Sequence, residues 1–244
     1  MTKEHQPVLV RRLVWTFGRW LTWLTFLLAF RFRAFGVGHV PMSGGVLLVS
    51  NHQSYLDPVL LGVGQPRMMS FMARRSLFRN ALFGGLLRLL NAFPVTRTGR
   101  DVSAFREAVN RLKAGRCLVV FPEGTRTHNG EIAPLRSGAF AMAQRARVPV
   151  VPAVVEGAFH VWGRGRGIRP GQIMVAYGPP LAAEDVVRLS RDEIAARIDR
   201  EIRQLQCRYA KQRHSPIIGY VSDFHLVRQT VTTRKMDNLV SGLL

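Results

Sequence analysis

The stretch Asn51-His52-Gln53-Ser54-Tyr55-Leu56-Asp57 holds the two side chains best suited to proton transfer in this 244-residue chain. His52 exchanges a proton near neutrality, which makes it the natural general base. Asp57 can accept a hydrogen bond from one ring nitrogen, fixing the tautomer and stabilising the imidazolium that forms when the other nitrogen takes a proton. The charge context singles this acid out. Between Glu4 and Asp101 it is the one carboxylate, in an interval that holds 12 arginines. No nucleophile accompanies the pair, since there is neither a Gly-x-Ser-x-Gly elbow nor a cysteine beside it. The dyad would therefore deprotonate a hydroxyl carried by a substrate. A competing reading has His52 capping a strand and Asp57 capping the helix that follows, and His-x4-Asp alone leaves this open. No further His, Cys or acidic cluster lies nearby, so no metal site is expected.

Two other segments carry groups suited to an anion. Phe121-Pro122-Glu123-Gly124-Thr125-Arg126-Thr127 follows an apolar strand, Arg116 to Phe121. Its glycine lets backbone amides approach an anion, and Arg126 can fork onto a phosphate. Glu123 would then hold that arginine or bind a hydroxyl. Arg97, just after the short strand Phe93-Pro94-Val95, is a second candidate clamp. Each arginine alone reads equally as a solvated surface residue. Gly163-Arg164-Gly165-Arg166-Gly167 resembles a phosphate loop in composition only, without the spacing of a P-loop or dinucleotide fingerprint. It reads as a flexible basic loop, and His128 and His160 have no evident partner.

The elements that must position these groups alternate between strand and helix. Val46 to Ser50 is a buried strand ending at the dyad, and Pro58 to Leu61 opens a helix. Met68 to Met72 is a strand. Asn80 to Leu90 is a helix with Ala81, Leu82, Leu86 and Leu89 inward. Asp101 caps a helix that runs to Lys113 and stops at Gly115. Gly138 to Arg147 is a helix, and Val148 to Val155 is a strand whose Pro149 and Pro152 argue for an edge or a bulge. Gln172 to Tyr177 is the last strand. Asp192 to Tyr209 is amphipathic, with Ile194, Ile198, Ile202 and Leu205 on one side. The alternation predicts an α/β fold, a two-layer or three-layer sandwich around a mostly parallel central sheet.

Composition narrows the class further. The chain is 47% hydrophobic with a net charge of +20, so it can bury a core and is drawn to anions. Its 31 arginines against 4 lysines suit bidentate phosphate contacts. No recognition-helix, zinc or RNA-binding signature accompanies the charge, which argues against nucleic acid. Cys117 and Cys207 read as reduced, packed thiols rather than a disulfide framework. Residues 1–34 are expected to supply a membrane-associating helix. The apolar run Trp20 to Phe30 is about half the ~20 residues that span a bilayer. Arg12, Thr16, Arg19 and Thr22 form a polar stripe on that helix, which reads as interfacial. A tilted single span and a helix packed on the domain are the alternatives. Residues 35–211 form the main domain, and the tail 212–244 is unplaced.

Taken together and in order, these segments resemble the four sequence blocks of the glycerolipid acyltransferase family, typified by 1-acylglycerol-3-phosphate acyltransferases. Asn51 to Asp57 is similar to the first block, Phe93 to Arg97 to the second and Phe121 to Thr127 to the third. Val148-Pro149-Val150-Val151-Pro152-Ala153-Val154-Val155-Glu156-Gly157 is similar to the fourth. Asn91-Ala92 stands where the second block usually has a glycine. The resemblance implies that His52 and Asp57 are catalytic, that Arg97, Glu123, Gly124, Thr125 and Arg126 hold the acceptor's phosphate, and that Pro152 lies near the acyl donor. It implies acyl transfer from acyl-CoA or acyl-carrier protein to a lysophospholipid hydroxyl at an anionic membrane surface, on the cytoplasmic face of the cell membrane and without a cofactor. The expected acceptor is 1-acylglycerol-3-phosphate and the product phosphatidic acid. The same chemistry on a lyso-ornithine lipid is the near alternative. A non-enzymatic basic protein binding nucleic acid or membrane is the remote one.

Overall fold

In the computed structural model, which describes residues 8–96, 101–165 and 167–210, helices and strands alternate as expected. Helix α1 (Val8–Phe30) leads into β1 (Arg33–Phe35), and β2 (Val46–Ser50) is followed by α2 (Asp57–Val63). Next come β3 (Met69–Arg74), α3 (Ala81–Leu89), β4 (Ala92–Val95), α4 (Val102–Lys113) and β5 (Cys117–Val120). The remainder comprises α5 (Ala141–Ala146), β6 (Val150–Glu156), α6 (Ala158–Trp162), β7 (Met174–Tyr177), α7 (Ala183–Arg188) and α8 (Arg191–Ala210). Seven described strands form one sheet in the order β1-β7-β6-β2-β5-β3-β4. β6 and β7 are antiparallel, and the other pairings are parallel.

A mostly parallel sheet buries both faces, which is why β2 and β5 read as unbroken apolar runs. On one face Leu47, Val49, Leu118 and Val120 pack against α4, α5, α7 and α8. On the other Leu48, Val119, Val151 and Val155 pack against α1, α2 and α6. The sheet is thus the middle of three layers, α/β/α. The stripe Ile194, Ile198, Ile202 and Leu205 of α8 is buried, and Asp101 caps α4 by accepting from the Ala104 N–H at 3.0 Å.

Several expectations require correction. β6 is an interior strand despite Pro152, because it pairs with β2 on one side and β7 on the other. In a strand a residue's N–H and C=O point the same way, and the Pro152 carbonyl accepts from Gly178 on the β7 side. Ala153 is the last residue paired with β7, so the missing N–H costs at most one bond at the end of that ladder, opposite Gly178, and leaves the β2 side intact. Leu82 and Leu86 face outward, and Leu82 is 88% exposed. In α3 only Gly84 is buried, lying so close to Phe78 that an added Cβ would sit 3.0 Å from its carbonyl oxygen. Docking through glycine turns the leucines to the outside.

β1 begins at Arg33, inside the segment expected to belong to the N-terminal helix, and Phe32 is fully buried. The end of α1 packs on the domain through Phe26, while Thr22 turns its hydroxyl back onto the Gly18 carbonyl at 2.6 Å. No helix among the described residues is long and apolar enough to cross a membrane. Cys117 is buried in β5, where burial pushes its thiol up to about 12, whereas Cys207 is exposed rather than packed. The tail lies outside the described residues.

Candidate active site

Because β2, β5, β3 and β4 are mutually parallel, the loops leaving their C-terminal ends gather along one lip of the sheet. The exit of β2 is pinned by Asn51. Its buried side-chain amide donates to the Val155 carbonyl at 2.9 Å and accepts from the Val155 N–H at 2.8 Å. The chain then folds back on Asp57, the first residue of α2. A single oxygen, Oδ2, accepts from His52 Nδ1 at 2.7 Å, from the Gln53 N–H at 2.6 Å and from the Ser54 N–H at 2.8 Å. The two readings of Asp57 are therefore not exclusive, since it shapes the loop and orients the imidazole with the same atom.

Burial raises the Asp57 pKa above the ordinary carboxylate range, against the opposing hydrogen bonds from His52, Ser54 and Gln53. Its Oδ1 is buried with no partner among the described residues. As two backbone donors also reach Oδ2, that oxygen acts as acceptor and Nδ1 must carry the proton. The lone pair of the neutral imidazole then sits on Nε2. The His52 side chain is 18% exposed and stacks on Phe121 with ring centroids 4.1 Å apart and an interplanar angle of 18°.

The third block fixes the backbone of the first. The His52 N–H donates to Glu123 Oε1 at 2.6 Å, and the His52 carbonyl accepts from the Thr127 N–H at 2.9 Å. Glu123 Oε2 accepts from the Ala133 N–H at 3.1 Å. Both oxygens are thus committed to main chain, and burial raises this carboxyl's pKa too. Glu123 makes no ion pair with Arg126 among the described residues. Instead the Arg126 guanidinium lies over the Tyr55 ring, 3.4 Å from its centroid. Tyr55 is braced in turn by Trp162 at 5.4 Å, and Ser54 ties the same loop to the Trp162 carbonyl at 2.7 Å. A guanidinium held flat by an aromatic face keeps its edge donors for a planar or tetrahedral anion.

Gly124 adopts φ 77°, with its N–H returned to the Phe121 carbonyl at 3.0 Å, and Thr125 follows it exposed at the rim. His52, Asp57, Glu123, Gly124, Thr125 and Arg126 are therefore brought together. Pro152 is not, for it lies mid-strand and buried, its ring and Leu205 each 3.0 Å from where a Cβ on Gly178 would stand. Arg97 lies outside the described residues. The residue before it, Thr96, donates its N–H and hydroxyl to Asp101 Oδ2 at 2.8 and 2.6 Å. Hydrogen bonds from Ser103 and Thr96 hold the Asp101 carboxyl well below the usual range. Asn91, where the resembling block has glycine, sits at φ 67°, a left-handed conformation that asparagine tolerates better than most residues.

Three contributors escaped the sequence. Phe121 and Tyr55 lie inside recognised blocks but show their stacking roles only in three dimensions. Arg136 returns to the site because its N–H donates to the Pro122 carbonyl at 3.1 Å. Its guanidinium carbon would lie 3.1 Å from a Cβ on Gly124, a proximity no sequence spacing announces. His128, expected to lack a partner, places Nε2 2.8 Å from an Arg164 guanidinium nitrogen.

Residues 31–156 match the family model Acyltransferase. A 1-acyl-sn-glycerol-3-phosphate acyltransferase of Bacillus subtilis is 33% identical over 161 residues, 65% of this chain and 78% of that protein. The human 1-acyl-sn-glycerol-3-phosphate acyltransferase alpha is 34% identical over 183 residues, covering 72% of this chain and 63% of its own length. The crystal structure of the 1-acyl-sn-glycerophosphate acyltransferase PlsC from Thermotoga maritima shares the fold, with a TM-score of 0.74 at 24% identity over 88% of this chain and 86% of that one. A layered α/β sheet with a His-x4-Asp loop at its lip, joined to these matches, places the chain in the acyltransferase family. The relatives from Bacillus subtilis and human both carry the name 1-acyl-sn-glycerol-3-phosphate acyltransferase, a glycerolipid acyltransferase.

Proposed function

We propose that this protein transfers a fatty acyl group from acyl-CoA or acyl-carrier protein to the free hydroxyl of 1-acylglycerol-3-phosphate, giving phosphatidic acid. The observation that carries the reading is the 2.7 Å bond from His52 Nδ1 to Asp57 Oδ2, which leaves Nε2 for a substrate; Tyr55 of the same loop carries Arg126, which has no acidic partner among the described residues. Nε2 takes the acceptor's hydroxyl proton as that oxygen attacks the thioester carbonyl. The C–S bond then breaks, and the leaving sulfur takes the proton back from the imidazolium. Asp57 stabilises that cation without leaving its two backbone donors. Arg126 and Arg136 hold the acceptor's phosphate, with Arg97, next in sequence to Thr96, extending the clamp. Orientation of this kind supplies roughly 7–11 kcal/mol of a barrier.

Both acceptor and product reside in a bilayer, and α1 exposes Phe17, Trp20, Leu21 and Leu28. These side chains support peripheral association with the membrane, and we assign the protein to its cytoplasmic face, the side from which acyl-CoA and acyl-carrier protein are supplied. The test is thiol release from acyl-CoA or acyl-carrier protein by the purified protein, with a panel of lysolipid acceptors. Turnover should be fastest with the phosphate monoester. Equal or faster turnover with lyso-ornithine lipid would instead favour the same chemistry on that acceptor.

A further inference from the structure

Beside α1, helix α3 is a second large apolar feature among the described residues that the core does not absorb. Leu82, Leu86 and Leu90 recur every four residues along it and are exposed, as are Phe83 beside them and Leu77 in the turn before it. A stripe of this size on a nine-residue helix marks a contact surface rather than chance exposure. The residues that flank it in sequence are basic. Arg74, Arg75 and Arg79 are exposed at its start, and Arg88 lies over the Phe78 ring at 5.4 Å. No carboxylate occurs between Asp57 and Asp101.

Topology places this surface beside the dyad. β3 is parallel to β5, which is parallel to β2, so the chain leaves β3 at the lip that carries His52 and enters α3 from there. α1 reaches the same lip from the other edge. Arg33 pairs with Met174, and Met174 with Glu156 at the C-terminal end of β6. Phe78 and Leu87 pack on the same buried cluster as Trp23, Phe26 and Phe30, so α1 and α3 cover one face of the sheet.

We infer that α3 and the turn before it form a second membrane-docking surface whose occupant is an anionic phospholipid bilayer. The leucines and Phe83 seat at the acyl boundary and the arginines at the headgroups. The flanking arginines, with no carboxylate between Asp57 and Asp101, favour this occupant over a second copy of the chain, whose identical arginines would repel them. With α1 and α3 both seated, the lip faces the lipid, and an acceptor reaches Nε2 without leaving the interface. The inference rests on the lipid acceptor proposed above.

The test compares the full-length protein with the Leu82→Ser/Leu86→Ser variant in vesicle sedimentation, using an equimolar mixture of phosphatidylglycerol and phosphatidylcholine. Both substituted side chains are exposed, so the melting temperature should hold. Vesicle affinity should fall roughly tenfold or more, while thiol release with a short-chain, monomeric acceptor stays at the wild-type rate. Arg75→Ser/Arg79→Ser should weaken binding to the anionic vesicles on the order of fivefold per arginine and leave binding to pure phosphatidylcholine unchanged. Undiminished vesicle binding by the leucine variant overturns the inference. So does a change of oligomeric state without loss of vesicle binding, which assigns the face to a second copy. The two readings fail separately, because loss of thiol release in the wild type would sink the acyl-transfer reading whatever the vesicles show.

Discussion

Replacing Glu123 by glutamine distinguishes a scaffold from a substrate ligand. The carboxylate is 5% exposed and accepts one main-chain N–H on each oxygen, His52 at 2.6 Å and Ala133 at 3.1 Å. Glutamine keeps one acceptor and turns the other into an NH2 group that faces an N–H donor to donor. One buried donor is then unsatisfied, and the remaining bond loses its charge assistance. The cost is about 2 kcal/mol, which for a domain of this size lowers the melting temperature by roughly 4–8 °C. Displacement of the His52 backbone misplaces Nε2 and should reduce kcat on the order of tenfold to a hundredfold. The acceptor's KM should change little, because neither oxygen is free to meet a substrate. Calorimetry with steady-state thiol release measures all three quantities. A Glu123→Gln variant that keeps its melting temperature and kcat but loses acceptor affinity would refute the scaffold assignment.

Two further outcomes follow from the site. Tyr55→Ala should raise KM for a phosphate-bearing acceptor about fivefold, corresponding to loss of roughly 1 kcal/mol of cation–π contact with Arg126. Tyr55→Phe, which keeps the aromatic face, should behave as wild type, and an equal loss in both variants would discard the platform role. Burial raises the Asp57 pKa, so this carboxyl's contribution to the fold is greatest when it is protonated and is lost as pH rises through the raised value. Acidification from neutrality toward the ordinary carboxylate range should therefore lower kcat, as Asp57 loses its charge, while the melting temperature of the wild type rises relative to Asp57→Asn. A gap that narrows on acidification contradicts the assigned direction.

How far the sequence reached depended on how local each cause was. His52 and Asp57 sit five residues apart, and the acid's pairing follows from a loop that closes on itself through Gln53 and Ser54. The α8 stripe and the Asp101 cap were legible for the same reason. The orientation of α3 was not, because its apolar residues satisfy a helical period on either face and Gly84 decides which face docks. Pro152 misled because proline's usual confinement to edges assumes a ladder that continues past it, and here the β7 ladder ends at the neighbouring Ala153, so that only one terminal bond is forgone. The short helices α6 and α7 offer too few turns for periodicity to register. Arg136 and the commitment of Glu123 to main chain belong to loop packing, which spacing along the chain does not encode.

The central claim is that His52 Nε2 is the base, and thiol release by His52→Ala tests it most directly. Acyl-CoA and 1-acylglycerol-3-phosphate would be supplied to wild type and variant at equal protein concentration, with circular dichroism and vesicle binding recorded on both. The His52 ring is partly exposed, so the variant should fold and bind vesicles as wild type does. Its turnover should fall by on the order of a hundredfold or more. Turnover close to wild type in a folded His52→Ala protein would contradict the account.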